Sequence, residues 1–367
     1  MAKPCILDIP RLDILGLDHS RSAMNRIRKN VEAMQGYVPG EQPSDTSVVK
    51  LNTNENPYPP SPKVLEAIQA LTENQLRKYP NPSAAAMREA IAALHGVLPE
   101  QVIVGNGSDE VLALCTRAFV HDGGRTAWFD PSYSLYPVLA KIADSEALPL
   151  PLGPNFSWQV PDEIHADLFF ITDPNAPTSL LHDLDNVATL ANRYPGVILL
   201  DEAYADFAER NGMALVDQHD NIIVSRTLSK SYSLAAMRIG YAVGPVKLIQ
   251  ALHKIRDSYN MNLASQAAGL AAITDQAWMK ANTAKIIATR TRLRNHLINK
   301  GWDVAESHTN FLWMKPPSDQ KASEIFDHLY AQKIFIRYFP GERTGDYMRV
   351  SVGTDAEMDA FLNGLPK

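Results

Sequence analysis

From residue 100 to about 245 the chain repeats one pattern: a short apolar run, a polar cluster, then apolar residues at helical spacing. The runs are QVIVG, RTAWFD, ADLFFIT, GVILLDE, NIIVS and RIGYAV. Runs this short, unbroken by polar alternation, suit strands buried on both faces, and intervening helices predict a mostly parallel α/β sheet. After about 262 the pattern changes to a long helical stretch, then TNFLWMKPP, a helix near 321–332, IFIRYF, YMRVSVGT and a final helix near 355–364. That succession predicts a smaller α+β unit. Residues 1–36 read as an arm with one helix, on the spacing of Ile14, Leu17, Met24, Ile27, Val31 and Met34. Pro39–Pro62 is dense in Pro, Asn and Ser and predicts a long loop, ordered around Asn-Glu-Asn-Pro-Tyr.

Five apolar runs end in polar clusters: GNGSDE at 105–110, DPSYSLY at 130–136, TDPNAPTS at 172–179, DEAYADF at 201–207 and SRTLSKSYS at 225–233. Ligands of open α/β sheets bind beyond the carboxyl ends of the strands, so the five loops are expected to converge on one crevice.

Composition narrows the field. The 367 residues are long enough for about two domains, and 45% hydrophobic with 21% charged residues is the balance of a folded globular chain. A net charge of −6 creates no field to attract a polyanion. The basic run ATRTRLRNH spreads Arg290, Arg292 and Arg294 over more than one helix face, so it reads as solvated surface, not a nucleic-acid site. No stretch is apolar for long enough to span a membrane, and the two cysteines, Cys5 and Cys115, suit a reducing compartment, so the expected location is cytoplasmic. The ten histidines hold no helical ligand pair, so no metal is expected.

The loops supply a particular chemistry. Lys230 follows a buried strand, where a dry lysine has a usable amine. Asp201 ends GVILLD, and an aspartate at a buried strand end needs a cationic or hydrogen-bonding partner, which a protonated pyridine nitrogen would supply. Gly107, Ser108 and Asp109 open a helix whose backbone N–H groups suit a phosphate. Ser229 adds a hydroxyl and Arg238 a planar cation. Tyr204 is placed to donate to a ring oxygen, and Tyr133 to stack on a ring face. This set matches the needs of pyridoxal 5'-phosphate.

LNTNENPYPPSP, KYPNPSAAAMREAIA, GNGSDEVL, DPSYSLY, DPNAPTS, DEAYADF, TLSKSYSLAAMRIGYAVG, SYNMNLASQ and MRVSVGT, in this order, resemble the motifs of the fold-type-I pyridoxal-phosphate aminotransferases, class II subgroup, and within them the histidinol-phosphate aminotransferases. The resemblance spans residues 36 to about 355. It implies an α/β fold with a mostly parallel seven-stranded sheet in a large unit at 50–262, and a smaller α+β unit from 37–49 and 263–367. It implies that Lys230 is the Schiff-base lysine, Asp201 the partner of the ring nitrogen, and Tyr204 the partner of the phenolate oxygen. Tyr133 is then the stacking ring, and Ser108, Asp109, Ser229, Arg238 and Thr227 form the phosphate cup. Arg349 takes a substrate carboxylate. Arg337, Tyr37 and Tyr58 bind the substrate's phosphate, with Tyr58 reaching across a homodimer interface.

The chain departs from the family at DPNAPTS, where Asn-Pro-Asn-Asn-Pro-Thr-Gly is usual: Ala176 replaces an asparagine and Ser179 a glycine. Asn175 is the amide left to contact the ring. The implied reaction is transamination between L-histidinol phosphate and 2-oxoglutarate, giving imidazole acetol phosphate and L-glutamate in histidine biosynthesis. Alternatives are an aromatic amino acid aminotransferase, a phospho-amino-acid decarboxylase with the same cofactor, or a domain that keeps the fold without activity. A dinucleotide-binding dehydrogenase is disfavoured, because GNGSDE lacks the third glycine of that fingerprint.

Overall fold

The computed structural model describes residues 26–45 and 47–366. The expected arm therefore lies mostly outside the described residues; within them it forms a short helix, Lys29–Ala33. Asn30 Nδ2 donates to the Lys141 carbonyl at 2.7 Å, which ties this helix to the end of the helix Tyr136–Ile142.

Seven strands form the main sheet: β1 (Val102–Gly105), β2 (Arg125–Asp130), β3 (Glu146–Pro151), β4 (Leu168–Thr172), β5 (Val197–Asp201), β6 (Ile222–Thr227) and β7 (Gly240–Val243). Their order is β1-β7-β6-β5-β4-β2-β3, parallel throughout except for β7, which runs antiparallel to β1 and β6. Six of the seven are the apolar runs of the sequence. The seventh, β3, carries Pro149 and Pro151, which cannot donate to a ladder and are tolerated because β3 is an edge strand with a mostly exposed side.

Strand side chains alternate between two apolar layers, as a sheet covered on both faces requires. Trp128, Phe170, Leu199 and Ile223 pack against Val111, Leu112 and Leu139 on one face. Phe129, Phe169, Ile198, Leu200 and Val224 pack on the other against Met87, Ile91 and Leu190. Burying each such side chain contributes about 1.5–3 kcal/mol. The helix Leu263–Thr274, expected with the smaller unit, packs Ala268, Ala272 and Ile273 into the second layer, so the large core continues past residue 262.

A 24-residue helix, Gln276–Asn299, leads to a four-stranded antiparallel sheet with Met348–Ser351 between Arg337–Tyr338 and Phe311–Lys315. IFIRYF divides into two strands because Ile334–Phe335 pairs in parallel with Val49–Lys50, while Arg337–Tyr338 pairs with Met348–Arg349. The basic run lies on the long helix, with Arg290 and Arg294 half-buried against the protein and Arg292 exposed. Arg290 donates to the carbonyls of Phe207 and Thr309, Arg292 pairs with Asp355 and Asp359, and Arg294 donates to the Ala305 carbonyl.

Candidate active site

The carboxyl ends of β1, β2, β4, β5 and β6 lie along one sheet edge, and their loops surround a cavity of about 250 Å³. Lys230, Asp201, Tyr204 and Tyr133 line it, as do Ser108, Asp109, Thr227, Ser229 and Arg238. Arg337, Arg349 and Tyr37 close its other side. Three expected residues do not line it: Gly107, Asn175 and Tyr58.

Asp201 ends β5 on the face that carries Leu199, and is almost fully buried. Its Oδ2 accepts from Tyr136 Oη at 2.9 Å and its Oδ1 from Ser225 Oγ at 3.3 Å. Burial pushes its pKa up to about 6, while the two hydroxyl donors oppose the rise. The site thus holds a desolvated carboxylate with hydrogen-bond donors but no cation, a stable arrangement once a positive group docks beside it.

Lys230 follows β6, with Nζ donating to the Thr53 carbonyl at 3.2 Å and lying 5.9 Å from the Tyr204 ring centre. Burial brings its pKa down to about 8, and the Arg349 charge adds to the effect. A neutral amine, competent as nucleophile and proton carrier, is therefore far more accessible near neutral pH than on an exposed lysine, although the protonated form still predominates below about pH 8. Tyr204 Oη accepts from Asn54 Nδ2 at 2.9 Å, and its ring meets Phe311 edge-on at 5.1 Å. Tyr133 Oη donates to Asp109 at 3.1 Å, which fixes its ring.

Opposite Asp201 lies an anion cradle. The helix Ser108–Phe119 starts here, behind Gly107 at φ +79°. A Cβ on Gly107 would sit 2.5 Å from Arg238 Nη2, and one on Gly240 would sit 2.2 Å from the Ser108 nitrogen. Gly107 therefore acts by letting Arg238 close over the helix end, without touching the cavity itself. Arg238 bonds Ser229 Oγ at 3.3 Å and Asp109 at 3.1 Å, and Thr227 Oγ1 donates to Ser229 Oγ at 3.0 Å. A helix end, a guanidinium and three hydroxyls form a phosphate receptor.

Arg349 and Arg337 are cross-strand partners that both face the cavity. The Arg349 guanidinium lies between the Phe311 and Phe339 rings, 5.3 Å from each centre, and gives one bond to the Asn52 carbonyl at 2.9 Å. Its Nε is buried without a partner. Burial, reinforced by Arg337, lowers its pKa, so a carboxylate docking there meets a cation with an unused donor.

The DPNAPTS loop corrects one expectation. Asn175 spends its amide away from the cavity: Oδ1 accepts from Thr178 Oγ1 at 2.9 Å and from the Thr178 N–H, and Nδ2 donates to the Pro131 carbonyl at 3.5 Å. Ala176 and Pro177 line the cavity instead. Ser179 holds φ +65°, which explains why glycine is usual there. Tyr58 packs beneath Lys285, whose Nζ is 4.8 Å from the ring centre, and does not reach its own chain's cavity. Residues beyond the sequence reading also matter. Asn54, at φ +56°, ties Tyr204 to Ser351 and Asn310, and Tyr136 and Ser225 orient Asp201. Asn54 carries a signal in the Asn-Glu-Asn-Pro-Tyr string; Tyr136 does not stand out from a core tyrosine.

Residues 46–365 match the family model described as aminotransferase class I and II. The histidinol-phosphate aminotransferase of Syntrophotalea carbinolica is 44% identical over 344 residues, covering 93% of this chain and 99% of that protein. Histidinol-phosphate aminotransferase 1 of Trichormus variabilis is 43% identical over 93% of this chain and 98% of its own length. A crystal structure of histidinol-phosphate aminotransferase from Sinorhizobium meliloti in complex with pyridoxal-5'-phosphate superposes with a TM-score of 0.83 at 27% identity, covering 95% of this chain and 98% of that one. The anion cradle, the buried carboxylate awaiting a cation and the dry lysine fit that cofactor's phosphate, ring nitrogen and aldehyde in turn. The chain belongs to the class I and II aminotransferases and, within them, to the histidinol-phosphate aminotransferase family.

Proposed function

We propose that this protein transaminates L-histidinol phosphate with 2-oxoglutarate, using pyridoxal 5'-phosphate, to give imidazole acetol phosphate and L-glutamate. The observation that carries the reading is the pairing of Arg337 with Arg349 above Lys230 in one cavity: two cations for two anionic substrates. When bound, the cofactor supplies an aldehyde to take the amino group and a ring to delocalise the electron pair left at the substrate Cα. Asp201 holds the ring nitrogen's proton, and the helix end with Arg238 and Ser229 holds the phosphate. Tyr204 Oη and the Tyr133 ring set the ring's tilt. Lys230 Nζ, freed by the incoming amine, takes the proton from Cα and returns it on the cofactor side. A neutral Lys230 is the form that can accept that proton, and its lowered pKa keeps it available.

Arg349 binds the carboxylate of 2-oxoglutarate through the donor left free at Nε. Arg337 and Tyr37 meet the phosphate of histidinol phosphate. Tyr58 serves the neighbouring cavity of a homodimer, which accounts for its absence from its own. Asn175 acts by shaping the loop that presents Ala176 and Pro177. No helix among the described residues is long and apolar enough to cross a membrane; a cytoplasmic location is part of the proposal.

The test is a single-turnover spectrum of cofactor-loaded protein mixed with L-histidinol phosphate, without keto acid. Conversion of the cofactor to its amine form, absent with histidinol lacking the phosphate, is the expected result. Conversion only with phenylalanine or tyrosine moves the substrate to aromatic amino acids. Release of carbon dioxide from a phosphorylated amino acid replaces transamination with decarboxylation.

A further inference from the structure

Among the polar residues of DEAYADF and SRTLSKSYS that the chemistry above does not use are Glu202, Asp206, Arg226 and Ser231. The alternation that aims Asp201 and Thr227 at the cavity, with Ser225 bonded to Asp201 on the same face, turns Glu202 and Arg226 to the opposite face of the sheet. There they form one chain. Arg226 Nε and Nη2 each lie 2.7 Å from Glu202 Oε2, and Arg226 Nη1 donates to Asp206 Oδ1 at 3.1 Å. Ser231 Oγ donates to Asp206 Oδ2, and the Gly212 N–H to Glu202 Oε1. The Glu202 side chain is wholly buried and that of Arg226 nearly so.

Each member flanks a residue of the site. Glu202 follows Asp201, Arg226 precedes Thr227, Asp206 lies two residues after Tyr204, and Ser231 follows Lys230. The Lys230–Ser231 backbone is gripped a second time by Asn56, whose Nδ2 donates to both carbonyls at 3.0 and 3.2 Å. The lysine's main chain is thus held from two directions.

We propose that the Glu202–Arg226–Asp206–Ser231 chain is a positioning device that sets Lys230 opposite Asp201, with Ser231 as its link to the lysine. The inference rests on Lys230 being the cofactor lysine, as argued above. A buried network costs desolvation and gives stability only when fully bonded. Here its bonds run to the neighbours of the reacting groups. Ser231 is the informative position, because removing its hydroxyl leaves the ion pairs intact.

The test compares Ser231→Ala with Ser231→Thr, which keeps the hydroxyl. In cofactor-free protein, the pH profile of Lys230 acylation is read by mass spectrometry. Wild type should show a midpoint near 8, moving up in Ser231→Ala as the lysine leaves its dry position, and returning in Ser231→Thr. Pyridoxal phosphate affinity should weaken, and kcat should fall by about tenfold in Ser231→Ala, with the KM for 2-oxoglutarate nearly unchanged, since misplacing a reacting group acts on the chemical step. Unchanged labelling, affinity and kcat in Ser231→Ala overturn the proposal, as does a Ser231→Thr protein as impaired as the alanine variant. If Ser231→Ala does not fold, Asp206→Asn with the same labelling profile decides between displacement and no displacement. A wild type that labels as expected but does not transaminate histidinol phosphate refutes the substrate reading and leaves the positioning device standing.

Discussion

Asp201 gives the sharpest quantitative expectation, because its burial in the cofactor-free protein runs against folding. An unfolded aspartate loses its proton near pH 3.8, whereas the folded one keeps it until about pH 6. Between those values the native state binds more protons than the unfolded state, so stability falls as pH rises and levels off above about 6. The interval is about two pH units, worth about 3 kcal/mol. Asp201→Asn removes the titration while keeping the shape. The assay is urea unfolding of cofactor-free wild type and variant at a series of pH values, with the difference plotted. Wild type should lose about 2 kcal/mol of this relative to the variant between pH 4 and 7, the rest falling below pH 4. Other carboxylates cancel in the difference. Adding pyridoxal phosphate should abolish the loss, because a protonated ring nitrogen stabilises the ionised carboxylate. A flat or rising difference in the cofactor-free protein would refute the account of Asp201 as a carboxylate held dry for a cation.

Other outcomes follow from single contacts. Lys230→Ala should abolish transamination while the fold survives, with residual turnover counting against the assignment. Arg337→Ala should raise the KM for histidinol phosphate about 10- to 100-fold, the cost of a charged hydrogen bond, and leave that for 2-oxoglutarate nearly unchanged; equal losses would deny Arg337 its selective role. Gly240→Ala drives a methyl to 2.2 Å from the Ser108 nitrogen, so it should weaken pyridoxal phosphate binding and cost about 1–3 kcal/mol of stability in thermal or urea melts. Ser179→Gly relieves a left-handed backbone and a buried unpartnered hydroxyl against the entropy of a new glycine, a net gain of about 1 kcal/mol.

The sequence made legible those features that sit in contiguous strings. Lys230, Asp201 and Arg238 lie in strand-to-loop transitions whose chemistry is stated within a few residues, and the structure brings them to one cavity. The edge strand β3 was not legible, because Pro149 and exposed positions mask its periodicity. Asn175 looked like a ring contact only because the string cannot say that its amide closes its own turn on Thr178. The roles of Tyr136 and the Glu202–Arg226 pair depend on partners 20 or more residues away in the sequence, and no local pattern encodes them; for Asn54 the Asn-Glu-Asn-Pro-Tyr string marks the position but not its partner Tyr204.

The rung shared by Arg337 and Arg349 has a kinetic consequence. Both cations open on one small chamber with a single lysine, so the phosphorylated donor and the keto acid must occupy it in turn. Initial rates at several fixed concentrations of one substrate should therefore give parallel double-reciprocal lines. Each substrate, in excess, should block the form of the enzyme that awaits the other. Flux in a cell would then follow the ratio of the two pools as well as their size.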